Sequence, residues 1–120
     1  METINLEKCV PCHHGGLSLA EDQIQSLMVH VRGWERVTED HIHKLRRTYT
    51  FKDFVHAMSF TNQVAKISEE EGHHPALLTE WGKVTVTWWT HVIKGLHRND
   101  FILAARCDKL FEEQTESPAR

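Results

Sequence analysis

Apolar residues return every three or four positions in three stretches of the chain, a spacing that places them on one face of a helix. In the first stretch these residues are Ile24, Leu27, Met28 and Val31. We therefore expect three amphipathic helices, at residues 19–32, about 50–72 and about 99–113.

Residues typical of helix ends flank the first two stretches. Ser18-Leu19-Ala20-Glu21 has the pattern of a capping box, and Thr50 with Asp53 resembles a second one. Gly33 and Gly72 follow the last apolar positions, where a left-handed residue without a Cβ commonly ends a helix. These residues predict where each helix begins and ends.

The segments between the helices are rich in alternating, β-branched and aromatic residues, which is typical of strands. Four strands are predicted, at residues 34–37, 42–50, 77–81 and 84–90. Polar residues 38–41 separate the first pair, and Gly82-Lys83 separates the second. In the last strand Val84, Val86 and Trp88 share one face. The order predicts an α+β fold in which three helices pack on one face of a four-stranded antiparallel sheet.

Domain organisation follows from the same pattern. Residues 1–16 contain Pro11, Gly15 and Gly16 without an apolar period, and are expected to form an extended or loosely docked arm. Residues 17–113 form a single domain, and residues 114–120 are expected to fray at the end of the last helix.

Composition restricts the function. The chain has 120 residues, of which 26% are charged, and its formal net charge is -3, which argues against nucleic acid or an acidic membrane as a partner. The sequence shows neither a membrane span nor a signal peptide, so we expect a cytoplasmic protein. Three cysteines in such a protein are expected to remain reduced thiols.

Ten histidines are the one unusual feature of the composition, and three of them are predicted to converge. His73 and His74 follow the central helix, which carries Glu69 one turn earlier. The second hairpin should return His91 close to them. Three imidazoles and a carboxylate could then share one cleft, although the same residues could instead form a solvated helix end, or a zinc site.

The spacing of these residues resembles the signature of the pterin-4a-carbinolamine dehydratase family, over about residues 17–113. The signature residues are Glu69, His73-His74-Pro75, Trp81, His91 and Asp100. Phe51-Lys52-Asp53-Phe54, Gly95-Leu96 and Asp100-Phe101 also resemble bacterial members. Gly72 and Leu77 depart from relatives that have an acidic and an aromatic residue at these places.

The resemblance implies an enzyme that dehydrates a 4a-hydroxytetrahydropterin to the quinonoid dihydropterin, and so recycles the cofactor of aromatic amino acid hydroxylases. It implies no metal and no organic cofactor, since the pterin is the substrate, and a homodimer or a dimer of dimers. Its site would comprise the catalytic residues His73, His74 and His91 and the substrate-binding residues Glu69, Trp89, Thr90 and Asp100. Asp100 could equally serve the N-terminus of the last helix.

The adjacent histidines are expected to play unequal roles. Pro75 favours an extended conformation at His74, so the rings of His73 and His74 should diverge. We expect His73 and His91 to transfer protons and His74 mainly to position the substrate.

The sequence leaves two alternatives open. Some family members also act as dimerisation partners of a transcription factor, so the chain could be a protein-binding module with a vestigial or zinc-binding histidine site. Separately, Cys9-Val10-Pro11-Cys12-His13-His14 could hold zinc, act as a redox pair, or be an incidental part of the arm.

Overall fold

The computed structural model describes residues 4–10 and 18–116. Its helices are α1 (Glu21–Met28), α2 (Phe54–Glu71) and α3 (Arg98–Glu116), and its strands are β1 (Glu35–Glu39), β2 (Ile42–Thr50), β3 (Ala76–Glu80) and β4 (Lys83–Trp88). Single 3₁₀ turns occur at Ile4–Leu6 and His91–Ile93. None of the helices in these two ranges is long and apolar enough to cross a membrane.

The four strands form one antiparallel sheet in the order β1-β2-β4-β3, with the helices on one face, so the predicted α+β fold is confirmed. The predicted face of β4 is buried against the helices: Val84, Val86 and Trp88 have no exposed surface. Beside them Tyr49 of β2 packs its ring 4.7 Å from that of Phe60 on α2. The core therefore lies between the sheet and the long helices.

Helix α1 is shorter than predicted, and its predicted capping residues are wrong. The N-cap is Ala20, whose backbone N–H donates to the side chain of Gln23 at 2.8 Å. The helix ends at Met28, before Gly33. A Cβ on Gly33 would lie 2.5 Å from the guanidinium of Arg47, so this glycine makes room for a neighbouring side chain instead of ending the helix.

The start of α2 also differs from the prediction, whereas its end agrees. Asp53 alone caps the helix by accepting from the backbone N–H of His56 at 2.9 Å, and Thr50 is the last residue of β2. Gly72 ends the helix in the left-handed conformation, with φ of 65°, which suits a residue without a Cβ. This turn sets the direction in which the following histidines leave the helix.

Strand β4 ends at Trp88, two residues earlier than predicted. Thr90 forms an isolated antiparallel bridge with Gly95, and His91 begins a 3₁₀ turn between them. His91 therefore lies on a short loop that closes on itself, and it is not part of a regular strand.

The described part of the N-terminal arm packs against α3. Ile4 is buried in the core, and Glu7 forms a two-pronged ion pair with Arg98, with N–O distances of 2.8 and 2.7 Å. Cys9 carries a free thiol, as does Cys107 on α3. Cys12, His13 and His14 lie outside the described residues, as do residues 117–120 of the predicted tail.

Candidate active site

The left-handed turn at Gly72 brings the chain from α2 towards α3. The backbone N–H of His73 still bonds the carbonyl of Ser68, at 3.1 Å, so His73 is fixed to the last turn of the helix. Its side chain is only 9% exposed and stacks on Trp88, with ring centroids 5.9 Å apart. The helix end and the core of the sheet together orient this imidazole.

Asp100 of α3 completes the surroundings of His73. The two side chains bond through His73 Nε2 and Asp100 Oδ1 at 2.7 Å, and Asp100 has no exposed surface. Its other oxygen, Oδ2, accepts from the hydroxyl of Thr90 at 2.8 Å and from the backbone N–H of His97 at 2.9 Å. Because all three donors converge on one buried carboxylate, the position of His73 is coupled to the loop before His91.

His74 has a different environment. Its side chain is 57% exposed, and its Nε2 bonds a carboxylate oxygen of Glu69, which is itself 78% exposed. The neighbouring rings of His73 and His74 thus diverge to different partners. Glu69, expected to contact the substrate, contacts His74 and is not part of the cavity wall.

Trp89 supports His91 from outside the cavity. The two rings stack with centroids 4.4 Å apart and planes inclined by 25°. The ammonium of Lys44, on β2, lies 4.0 Å from the ring centroid of Trp89. Trp89 therefore contacts His91, whereas Thr90 reaches the cavity wall directly.

One cavity of about 600 Å³ collects the predicted histidines. Four of the residues predicted for the site line it: His73, His74, Thr90 and His91. Sequence reasoning missed six others: Cys9, Val10, Glu71, Gly72, Val92 and Asn99. Three imidazoles thus do share one cleft. The carboxylate on its wall is that of Glu71, whereas Asp100 contacts His73 and does not line the cavity.

Burial and hydrogen bonding set the protonation of groups around this cavity. Burial, together with the nearby carboxylate of Glu71, raises the pKa of Cys9 to about 12, so its thiol is neutral at physiological pH. A hydrogen bond from the backbone of Cys9 lowers the pKa of Glu71, helped by Arg106. Burial lowers the pKa of His97 despite the nearby Asp100. Within residues 4–10 and 18–116, no group of three or more His, Cys, Asp or Glu side chains is arranged to hold a metal ion.

Comparison with known families identifies the chain. The model of the family described as pterin 4 alpha carbinolamine dehydratase matches residues 17–110. The chain belongs to this family. The family match covers every predicted site residue, whereas Cys9 and Val10 of the cavity wall precede it.

Individual relatives agree with this assignment. The chain is 57% identical over 104 residues to a Chlorobium limicola protein named "putative pterin-4-alpha-carbinolamine dehydratase", covering 87% of this chain and 92% of the relative. It is 48% identical over 111 residues to a Marinobacter nauticus protein of the same name, covering 92% and all of the relative. A crystal structure described as a transcriptional coactivator/pterin dehydratase from Brucella melitensis matches with a TM-score of 0.70 and 28% identity, over 78% of this chain and 97% of that one.

Proposed function

We propose that this dehydratase-family protein removes water from a 4a-hydroxytetrahydropterin by acid and base catalysis with its histidines. The observation that carries the proposal is the convergence of His73, His74 and His91 on one cavity, with His73 held by the buried Asp100. A cavity of about 600 Å³ is in the range of sites for small molecules, and imidazoles exchange protons near neutral pH.

The reaction needs two proton transfers on one ligand. An imidazolium donates a proton to the C4a hydroxyl, the C4a–O bond breaks, and water leaves. A neutral imidazole takes the proton from N5. The electrons of the broken N5–H bond then form the C4a–N5 double bond of the quinonoid dihydropterin. No electrons are gained or lost overall, and the two imidazoles supply both proton transfers, so the proposal requires neither a metal nor an organic cofactor. General acid and base catalysis typically contributes about 10²–10⁴-fold.

We assign proton transfer to His73 and His91 and substrate positioning to His74. His73 Nε2 is engaged by the carboxylate of Asp100, which leaves Nδ1 as the nitrogen that exchanges a proton with the ligand. His74 is largely exposed at the rim, where it pairs with Glu69. A buried, oriented imidazole suits proton transfer better than an exposed one, because its geometry is fixed before the ligand arrives.

The wider role follows from this chemistry. A 4a-hydroxytetrahydropterin arises when an aromatic amino acid hydroxylase uses its tetrahydropterin cofactor, so the product returns that cofactor to use. We place this recycling in the cytoplasm, with no nucleic acid or membrane as partner.

We also propose a homodimer or a dimer of dimers built by pairing of sheet edges. Strand β3 is an edge strand, with Leu78 57% exposed, and Trp81 beyond it is 73% exposed. Unpaired edges are normally covered or paired. Light scattering should give a multiple of the 14.0 kDa chain mass, and a monomer at micromolar concentration would overturn this part of the proposal.

The decisive experiment is a dehydration assay with the purified protein. Formation of the quinonoid dihydropterin from a 4a-hydroxytetrahydropterin should exceed the spontaneous rate, with or without a chelator. His91→Ala should remove most of the acceleration, whereas His43→Ala, an exposed histidine of β2 outside the cavity, should keep it. A wild-type rate equal to the spontaneous rate would contradict the proposal, and activity lost in chelator and restored by zinc would replace it with a zinc site.

A protein-binding role is the second candidate. The Brucella melitensis relative is described both as a coactivator and as a dehydratase, and the two roles can coexist on one fold. A folded protein that binds no pterin and does not accelerate dehydration would favour a protein-binding role without catalysis.

A further inference from the structure

We propose that Cys9 and Val10 of the N-terminal segment form one wall of the pterin pocket, and that Asn99 is the positioning residue that holds this wall in place. The inference deepens the proposed function and rests on it. The segment precedes the residues matched by the family model, and Cys9 and Val10 line the same cavity as the three histidines.

Asn99 binds the backbone of Val10 in both directions. Its Oδ1 accepts from the N–H of Val10 at 3.0 Å, and its Nδ2 donates to the carbonyl of Val10 at 2.7 Å. Asn99 is only 2% exposed. Because a buried amide contacts both polar groups of one residue, it fixes the arm in position and orientation, in the way that a neighbouring strand would.

Glu71 provides a second attachment one residue earlier in the arm. Its Oε1 accepts from the backbone N–H of Cys9 at 2.9 Å, and its Oε2 pairs with Arg106 at 3.2 Å. The Glu71 side chain is 8% exposed. Bonds between a charged group and a backbone N–H are among the stronger hydrogen bonds in proteins.

These two attachments come from the same elements that position His73. Glu71 lies two residues before His73 at the end of α2, and Asn99 directly precedes Asp100 in the first turn of α3. The arm is therefore placed relative to the catalytic histidine by its immediate neighbours. A pocket wall is expected to be attached in this way to the residues beside the histidine. An arm that merely packed elsewhere on α3 would not need these attachments.

The chemistry of the wall indicates binding, with no direct part in proton transfer. Cys9 keeps its proton at physiological pH, and Val10 is apolar. A neutral wall of this kind suits a flat heterocyclic ring, and it contributes apolar contact to the ground state and the transition state alike. Loss of such contact raises KM and leaves kcat almost unchanged.

The test is Asn99→Ala, compared with Glu7→Gln as the matched control. Glu7→Gln breaks the exposed ion pair between Glu7 of the same arm and Arg98 of α3. It leaves Cys9 and Val10, which form the wall, in place. Asn99→Ala should raise KM, and the Kd of a stable pterin followed by fluorescence, about tenfold, with kcat changed less than about threefold. Hydrogen exchange of the Val10 amide should rise in Asn99→Ala and remain unchanged in Glu7→Gln.

A second variant keeps the test valid if Asn99→Ala does not fold. Val10 is 54% exposed, so Val10→Ala removes wall contact without a large loss of core, and should raise Kd about threefold. If wild type is active and both variants keep its KM and Kd, the assignment of the arm as a pocket wall is wrong while the proposed function stands. If wild type does not accelerate dehydration, the proposed function fails, and pterin affinity in wild type and variants still decides the role of the arm. If wild type binds no pterin, both are wrong.

Discussion

The imidazole of His73 and the carboxylate of Asp100 are 27 positions apart in the chain and bond at 2.7 Å in the structure. The sequence left open whether Asp100 serves the helix or the site, and the geometry shows that it contacts both. Its Oδ2 accepts from the N–H of His97 at the start of α3, while Oδ1 orients His73. One buried carboxylate thus joins the helix N-terminus to the site.

Asp100→Asn should lower kcat at least about tenfold with little change in KM. An amide has one oxygen where the carboxylate has two, so it cannot accept from His73, Thr90 and His97 together, and His73 loses its fixed orientation. Steady-state kinetics at saturating pterin would measure this.

Asp108 offers a matched control for that substitution. Asp108 likewise accepts three hydrogen bonds, all at Oδ1 and all from side chains, those of Trp34, Arg47 and Tyr49, but it lies outside the cavity wall. Asp108→Asn should lower Tm and leave kcat within about twofold of wild type. Equal loss of kcat in both variants would show that disturbing any carboxylate with several hydrogen-bond donors has this effect, and would remove the special role of Asp100.

Substitution of the adjacent histidines should affect different kinetic constants. His73→Ala removes the buried, oriented imidazole to which we assign proton transfer, and should lower kcat about 100-fold. His74→Ala removes an exposed contact at the rim and should act mainly on KM. Steady-state kinetics of the two variants would measure this difference. Comparable kcat losses with unchanged KM in both would show that the division of roles is wrong.

The stacking of Trp89 on His91 makes Trp89 a positioning residue in our assignment. Trp89→Ala should lower kcat about tenfold or more, because His91 loses the ring that restricts its orientation. Trp89→Phe keeps an aromatic face and should recover most of the loss. If the alanine and phenylalanine variants lost activity equally, stacking would not be what positions His91.

The fold could be predicted from the sequence because the spacing of apolar residues in the helices and strands is regular and depends only on neighbouring residues. Its errors have local causes as well. Ser18 and Glu21 match a capping box, yet the helix begins later, where Gln23 reaches the N–H of Ala20. The strand carrying Trp88 ends early because the chain turns back to form the bridge between Thr90 and Gly95.

The candidate site was predictable only in part. A hairpin returns His91 towards His73, and the topology of a hairpin can be read from turn residues. The arm could not be placed in this way, because its bonds to Glu71 and Asn99 join residues 62 and 89 positions apart, and no periodic pattern marks either partner. Contacts of that range depend on how α2 and α3 pack, which is decided by tertiary structure.

Acid stability should report on the bond between Glu71 and the backbone of Cys9. The folded state lowers the pKa of Glu71 below its usual value of 4.5, so the unfolded state binds this proton more tightly. The stabilisation is therefore complete above about pH 4.5 and is lost as the pH falls through the lower pKa of the folded state. Glu71→Gln should lower Tm at pH 7 by several degrees, about 4 °C for each kcal/mol lost.

The difference in Tm between wild type and Glu71→Gln should shrink as the pH falls below 4.5, since the wild-type carboxyl becomes neutral first in the unfolded state and then, at its lower pKa, in the folded state. Thermal unfolding between pH 3 and pH 7 would measure it. Glu70→Gln is the control, because the neighbouring Glu70 is half-exposed and lies 3.9 Å from Arg106, too far for a strong bond. That variant should track wild type throughout. A gap for Glu71→Gln that stayed constant with pH would mean that the ionised carboxylate is not what holds Cys9, and the substitution would then act through packing alone.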